Sequence, residues 1–163
     1  MRLARAALED YLADIAELLE RYGAVVDPDV EPVIYASPSG ARWFEVRGVL
    51  WDGPTPSRSI VELREVWQPT TDGAYERSEY EYELLDGARA YRRAFHLHDR
   101  AVFVRRFSVV VHEHCERPIG SAACDHYAGP PVRDAFAGVE LLVAAWVDPA
   151  DPDCEGLHCL EAG

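Results

Sequence analysis

Apolar residues follow a helical period at both ends of the chain. An amphipathic helix is predicted over residues 1–23, ending at Gly23. Its apolar stripe consists of Leu8, Leu12, Ile15, Leu19 and Tyr22. A second helix is predicted from Pro131 to about Val147, with Asp134 in its first turn. The apolar face of this helix consists of Phe136, Val139, Leu142, Val143 and Trp146.

Between the helices the pattern changes to the two-residue alternation typical of strands. Strand-like runs occupy residues 42–51, 60–67, 76–85, 89–98 and 101–114, with a short one at 33–35. Short turns between consecutive runs favour an antiparallel meander. The sequence therefore predicts an α+β fold: a meander sheet of about five or six strands with the N-terminal and C-terminal helices packed on one face. Residues 1–147 would form a single domain and residues 148–163 an acidic C-terminal tail.

The pair Asp86-Gly87 predicts a two-residue hairpin turn. That turn would place Tyr82 opposite Tyr91 and Glu81 opposite Arg92. One face of the hairpin would then be apolar, with Tyr80, Tyr82, Leu84, Tyr91, Phe95 and Leu97. The other would be polar, with Glu79, Glu81, Glu83, Arg92, His96 and His98.

Composition and charge restrict the classes of function. The formal net charge of −13 over 163 residues repels nucleic acid, so any contact with RNA would need a local basic patch. Acidic residues interrupt the N-terminal segment, and the apolar runs are too short for a bilayer. We therefore expect a cytoplasmic protein that does not enter the membrane, with its four cysteines reduced or bound to metal.

Two His-x-His pairs carry the strongest chemical signal: His96 with His98, and His112 with His114. On a strand, each pair points to one side and could bind a metal ion or a phosphate, or act as acid and base. The alternative is that these are ordinary hydrogen-bonded sheet histidines. A tight turn after His98 would keep the pairs far apart and on opposite faces. They converge only if a bulge, a bend or a break interrupts the run 101–114.

A second constellation combines imidazole and thiol groups, the usual ligands of structural zinc. Its members are His112, His114, Cys115, Cys124 and His126. Their spacing does not match a common zinc finger, and the alternative is small buried thiols beside loop histidines. The cofactor is thus predicted to be zinc or none.

Arginines are concentrated around the first histidine pair. Six lie within residues 89–106, and Arg92, Arg105 and Arg106 are the candidates for holding phosphate. The alternative is that the glutamates on the neighbouring strand pair with them across the sheet.

The order of these motifs resembles that of the TumE-like toxins of prokaryotic toxin–antitoxin pairs, over about residues 42–128. The motifs are a Tyr-x-Tyr strand (Tyr80, Tyr82), an arginine-bearing strand (Arg92, Arg93), His112-x-His114 and the later His126. The long N-terminal helix and the acidic tail depart from the family pattern. The resemblance implies a compact α+β fold, an antitoxin partner and action on nucleic acid.

Two functional hypotheses follow from the sequence. The first is a toxin-like enzyme that cleaves or modifies RNA through the four histidines. The second is a non-enzymatic acidic protein that binds a partner, with a structural zinc site as one form of it. The partner would be an antitoxin-like protein, or a second copy bound through residues 1–23.

Overall fold

The computed structural model describes residues 1–4, 7–22, 24–26, 34–52, 55–98, 110–120, 124–126 and 131–149. These residues form two helices and one antiparallel sheet, which confirms the α+β fold. The elements are β1 (Arg2–Ala4), α1 (Ala7–Arg21), β2 (Ala24–Val26), β3 (Tyr35–Ala36), β4 (Arg42–Asp52), β5 (Thr55–Pro69), β6 (Ala74–Asp86), β7 (Tyr91–Leu97), β8 (Val111–Glu116), β9 (Cys124–His126) and α2 (Ala135–Val147). Neither described helix is long and apolar enough to cross a membrane.

The long strands form the predicted meander. The sheet order is β2-β4-β5-β6-β7-β8-β9, while β1 pairs with β6 and β3 pairs with β4. Four of the five predicted long runs correspond to β4, β5, β6 and β7. Of the fifth run, only the end is described as strand, because β8 begins at Val111. Residues 101–109 and most of the predicted tail lie outside the described residues.

The hairpin between β6 and β7 corrects the predicted register. Tyr82 pairs with Phe95 rather than Tyr91, and Glu81 pairs with His96 rather than Arg92. The connection is a four-residue turn, 87–90, in place of a two-residue one. The carboxylate of Asp86 accepts hydrogen bonds from the backbone of the turn and stabilises this longer form. Because the shift is four residues, an even number, the predicted apolar and polar faces are both retained.

Both helices pack on one face of the sheet, as predicted. The apolar stripe of α1 is buried in the same core as the β-strands and α2. The core includes Leu8, Leu12, Ile15 and Leu19 of α1, Phe44, Leu63, Trp67 and Tyr82 of the sheet, and Val139 and Leu142 of α2. Each fully buried aliphatic side chain contributes roughly 1.5–3 kcal/mol. A dimer contact through residues 1–23 would therefore have to use the polar side of α1.

A buried carboxylate lies inside this core. Glu65 on β5 is 0% exposed and accepts four hydrogen bonds. The donors are the Tyr11 hydroxyl (3.1 Å), the Trp67 indole (3.0 Å), the Arg77 guanidinium (2.9 Å) and the Tyr82 hydroxyl. Burial, and then the negative charge of Glu65, raise the pKa of both Tyr11 and Tyr82, so both phenols remain donors.

The same network fixes the start of α2. The Arg77 guanidinium donates to the backbone carbonyls of Val132 and Arg133, and the Tyr11 hydroxyl accepts from the Ala135 amide at 2.8 Å. Polar contacts thus join α1, the sheet and α2 on the side opposite the histidines.

Candidate functional site

The four histidines of the two His-x-His pairs lie together on the face of the sheet that points away from the helices. His96 lies on β7 directly opposite His112 on β8, and His98 follows the end of β7. The centroid of the His96 ring lies 5.1 Å from that of the His112 ring and 5.2 Å from that of the His98 ring. The ring of His114 lies 4.9 Å from His112 and 4.8 Å from His96.

Convergence follows from the way β7 and β8 are joined. The His98 amide donates to the Val110 carbonyl at 2.9 Å, which extends the ladder one step beyond the strands. Residues 99–109 connect the two strands in place of a tight turn. Strand β8 therefore starts ten residues later than the predicted run, and His112 lies opposite His96.

Three of these imidazoles are close enough to share one metal ion. His96, His98 and His112 each offer a ligand atom, and the three atoms lie within 4.8 Å of one another. The three residues are only 7%, 3% and 2% exposed. Among the described residues this group, here called the histidine triad, is the one with metal-binding geometry. Neutral imidazole of this kind is a common ligand for zinc, copper, iron and nickel.

His114 borders the triad. Burial, and then the electrostatic effect of the neighbouring His96 and Arg92 side chains, lower the pKa of His114 to about 2. Its ring is therefore neutral at physiological pH.

Glutamates of β6 line the other side of the triad. The Nε2 atom of His96 lies 2.9 Å from the Oε1 atom of Glu83. Two further glutamates lie near His98, whose Nε2 atom is 3.6 Å from Glu81 and whose Nδ1 atom is 3.9 Å from Glu79. The sequence placed these three glutamates on the histidine face but treated them as partners of arginine. The sequence does contain a signal for contacts between these glutamates and the histidines, because Glu-x-Glu-x-Glu on β6 runs beside His-x-His on β7.

Arg92 contacts two carboxylates rather than solvent. Its guanidinium binds Glu83 at 2.6 Å and also binds Glu116. Burial alone would raise the pKa of Glu83, but hydrogen bonds from His96 and Arg92 outweigh it and lower that pKa to about 2. The alternative predicted for the arginines, pairing across the sheet, is therefore correct for Arg92. Arg105 and Arg106 lie outside the described residues.

Described members of the predicted cysteine–histidine zinc set lie on both faces of the sheet. Cys115 is buried in the core on the helix side, because it alternates with His112 and His114 along β8. The Cα register places Cys124 opposite Cys115 and His126 opposite Glu113. The Cys124 and His126 side chains lie outside the described part of the structure. The rings of His96, His98 and His114 lie around His112, on the face opposite Cys115.

The rest of this face carries ion pairs. Arg64 bridges Glu45 at 3.4 Å and Glu81 at 3.1 Å, and Arg47 pairs with Glu62 at 3.2 Å. The Arg47–Glu62 pair is half exposed and joins β4 to β5, whereas the histidines belong to β7, β8 and the residue after β7; it is therefore a useful reference for substitutions.

Comparison with models of known protein families, with curated proteins and with solved structures gave no match. The function of the protein is therefore inferred from the geometry of the histidine site.

Proposed function

We propose that this protein is a toxin-like nuclease that acts on RNA with the help of a zinc ion held by the histidine triad. The observation that carries the proposal is the convergence of three buried imidazoles, with ligand atoms within 4.8 Å, on one face of the sheet. Three protein ligands leave one position open, as in catalytic zinc sites. A zinc ion held this way would activate water and neutralise charge on a phosphate.

The chain's own residues have separate roles in this proposal. His96, His98 and His112 hold the ion, while His114, beside the triad, hydrogen-bonds the substrate. Arg105 and Arg106 are proposed to bind the phosphate backbone, since Arg92 is already engaged by two glutamates. The choice of RNA rests on the resemblance to TumE-like toxins and on the arginine density of residues 89–106. An antitoxin-like protein would be its partner.

The proposal is tested by comparing metal content and RNA cleavage in the same samples. Purified protein is stripped with a chelator, reloaded with one equivalent of zinc and incubated with total RNA. We expect zinc-dependent cleavage, lost in His96→Asn and His112→Asn and unchanged in Glu62→Gln. Absence of cleavage by zinc-loaded wild-type protein, or equal cleavage by all four proteins, would refute the nuclease proposal.

A second set of variants separates the two candidate zinc sites. In the double variant Cys124→Ser/His126→Asn, we expect zinc content to match that of the wild type. In His96→Asn and His112→Asn we expect it to fall. The reverse result would favour the cysteine-containing set predicted from the sequence.

A second candidate function is favoured by the burial of the triad. The three residues are at most 7% exposed, so a metal ion bound to them would be shielded from solvent and could serve to hold the strands together. The protein would then be a non-enzymatic binding protein stabilised by zinc. Its signature is a melting temperature that rises with zinc while RNA stays intact. Light scattering on the same samples would show whether a second copy binds.

A further inference from the structure

We infer that Glu83 orients His96 so that the Nδ1 atom of His96 faces the metal ion, and that Arg92 is a positioning residue that holds Glu83 in place. The inference rests on the proposed metal site and adds two residues to it. It also changes the role expected for Arg92, from binding substrate phosphate to supporting a ligand.

The hydrogen bond between His96 and Glu83 determines which nitrogen is available. A carboxylate only accepts hydrogen bonds, so the Nε2 atom that lies 2.9 Å from Glu83 carries the proton. A neutral imidazole has one protonated nitrogen and one with a free lone pair. The lone pair of His96 is then on Nδ1. Metal-bound histidines commonly donate their other N–H to a carboxylate, which fixes both the tautomer and the ring orientation.

Arg92 fixes Glu83 from the opposite side. Its Nη2 atom lies 2.6 Å from Oε1 of Glu83, and its Nε atom lies 3.3 Å from Oε2. The guanidinium thus meets the carboxylate with two parallel contacts, and Oε1 accepts from both His96 and Arg92. A planar fork makes this two-point contact, whereas a lysine ammonium would act only as a point charge.

Glu116 completes the support. Its carboxylate binds the third nitrogen of Arg92 and accepts from the Gly120 amide at 2.8 Å. Its side chain is only 8% exposed and that of Arg92 is 19% exposed, so both are largely shielded from solvent. A continuous chain of contacts therefore runs from the turn after β8 through Glu116, Arg92 and Glu83 to His96. It crosses three neighbouring strands and ends at a proposed metal ligand.

The inference is tested first by nuclear magnetic resonance. Full-length protein labelled with ¹⁵N is loaded with zinc, and long-range ¹H–¹⁵N correlations report which nitrogen of each histidine is protonated and which is bound to metal. We expect His96 to bind through Nδ1 and to carry its proton on Nε2. Binding through Nε2 would overturn the inference while leaving the proposed metal site intact.

The role of the carboxylate and the guanidinium is tested with cobalt, whose visible spectrum reports ligand geometry. Metal-free wild type, Glu83→Gln, Arg92→Met, Arg92→Lys and Glu62→Gln are titrated with Co²⁺, and circular dichroism checks that each is folded. We expect affinity to fall roughly 10–100-fold in the two Arg92 variants and in Glu83→Gln, with an altered spectrum. The control Glu62→Gln should match the wild type.

Different results would overturn the metal site and the positioning role of Glu83 and Arg92. If wild-type protein binds Co²⁺ and the Glu83 and Arg92 variants match its affinity and spectrum, the positioning role is overturned and the metal site stands. If wild-type protein binds neither Co²⁺ nor zinc, the metal site and the positioning role are both overturned.

Discussion

Replacing Glu65 with leucine should destabilise the fold strongly, because it leaves a buried cation without its counter-charge. The side chains of Glu65 and Arg77 are 0% and 3% exposed, and their charged atoms lie 2.9 Å apart. Removing one partner of a buried ion pair costs about 3–5 kcal/mol, since the other charge stays desolvated. Tyr11, Trp67 and Tyr82 would lose their acceptor in the same variant.

The size of this loss makes it measurable by urea unfolding followed by circular dichroism. With a urea dependence of about 2 kcal/mol per molar, a loss of 3–5 kcal/mol lowers the midpoint by about 1.5–2.5 M. The double variant Glu65→Leu/Arg77→Met removes both charges and keeps similar volume. We expect its total loss to be at least about 1.5 kcal/mol smaller than the sum of the two single losses.

The exposed pair Arg47–Glu62 provides the control. Its side chains are 43% and 44% exposed, and pairs of this kind are worth about 1 kcal/mol or less. Glu62→Leu should therefore shift the midpoint only slightly. Strict additivity of the Glu65 and Arg77 changes, or a loss below about 1 kcal/mol for Glu65→Leu, would show that the buried pair does not act as described.

Three further outcomes are expected from unfolding measurements. In Gly138→Ala, the new Cβ would lie 2.5 Å from the buried Tyr82 ring. The cost of this close contact should exceed the gain in helix propensity, so stability should fall by about 1–2 kcal/mol, and a more stable variant would contradict this packing. Asp134→Ala removes the acceptor of the Ala137 amide and should lower stability by about 1 kcal/mol, whereas Asp134→Asn keeps a good N-cap residue and should lower it little. Equal losses of stability in the two variants would exclude the capping role. Burial raises the pKa of Tyr11 and Tyr82 above that of unfolded tyrosine, so the stability they contribute is complete below pH 10 and is lost as pH rises further, by up to roughly 1.4 kcal/mol per pH unit for each. Tyr11→Phe should reduce this alkaline loss, and an unchanged dependence of the unfolding free energy on pH would contradict the expectation.

The sequence predicted the face of the sheet on which each residue lies better than it predicted the residue paired with it on the neighbouring strand. Alternation alone separated the tyrosines of β6 from its glutamates, and this division is present in the structure. The cross-strand partners were wrong because Asp-Gly also suits a longer turn, in which the Asp86 carboxylate binds the backbone. Turn length changes the register, while the face depends only on whether the shift is even or odd.

The site itself depends on a connection whose length the sequence could not reveal. His112 pairs with His96 because the chain does not reverse directly after His98, whereas the pattern of residues 101–114 reads as one continuous strand. Glu65 shows a related limit. The alternation of β5 places it with Leu63 and Trp67 on the core face, but its partner Arg77 is brought to it only by the folded sheet.

The histidine site is assembled from strands that follow one another along the chain, β6, β7 and β8. The ladder between β7 and β8 holds the imidazoles in place whatever the length of the segment that joins them. Insertions or deletions between His98 and Val110 should therefore leave the positions of the imidazoles unchanged. A single residue inserted between His96 and His98 would turn one imidazole toward the helices, so natural variation in length should be concentrated in the connection and absent from β7.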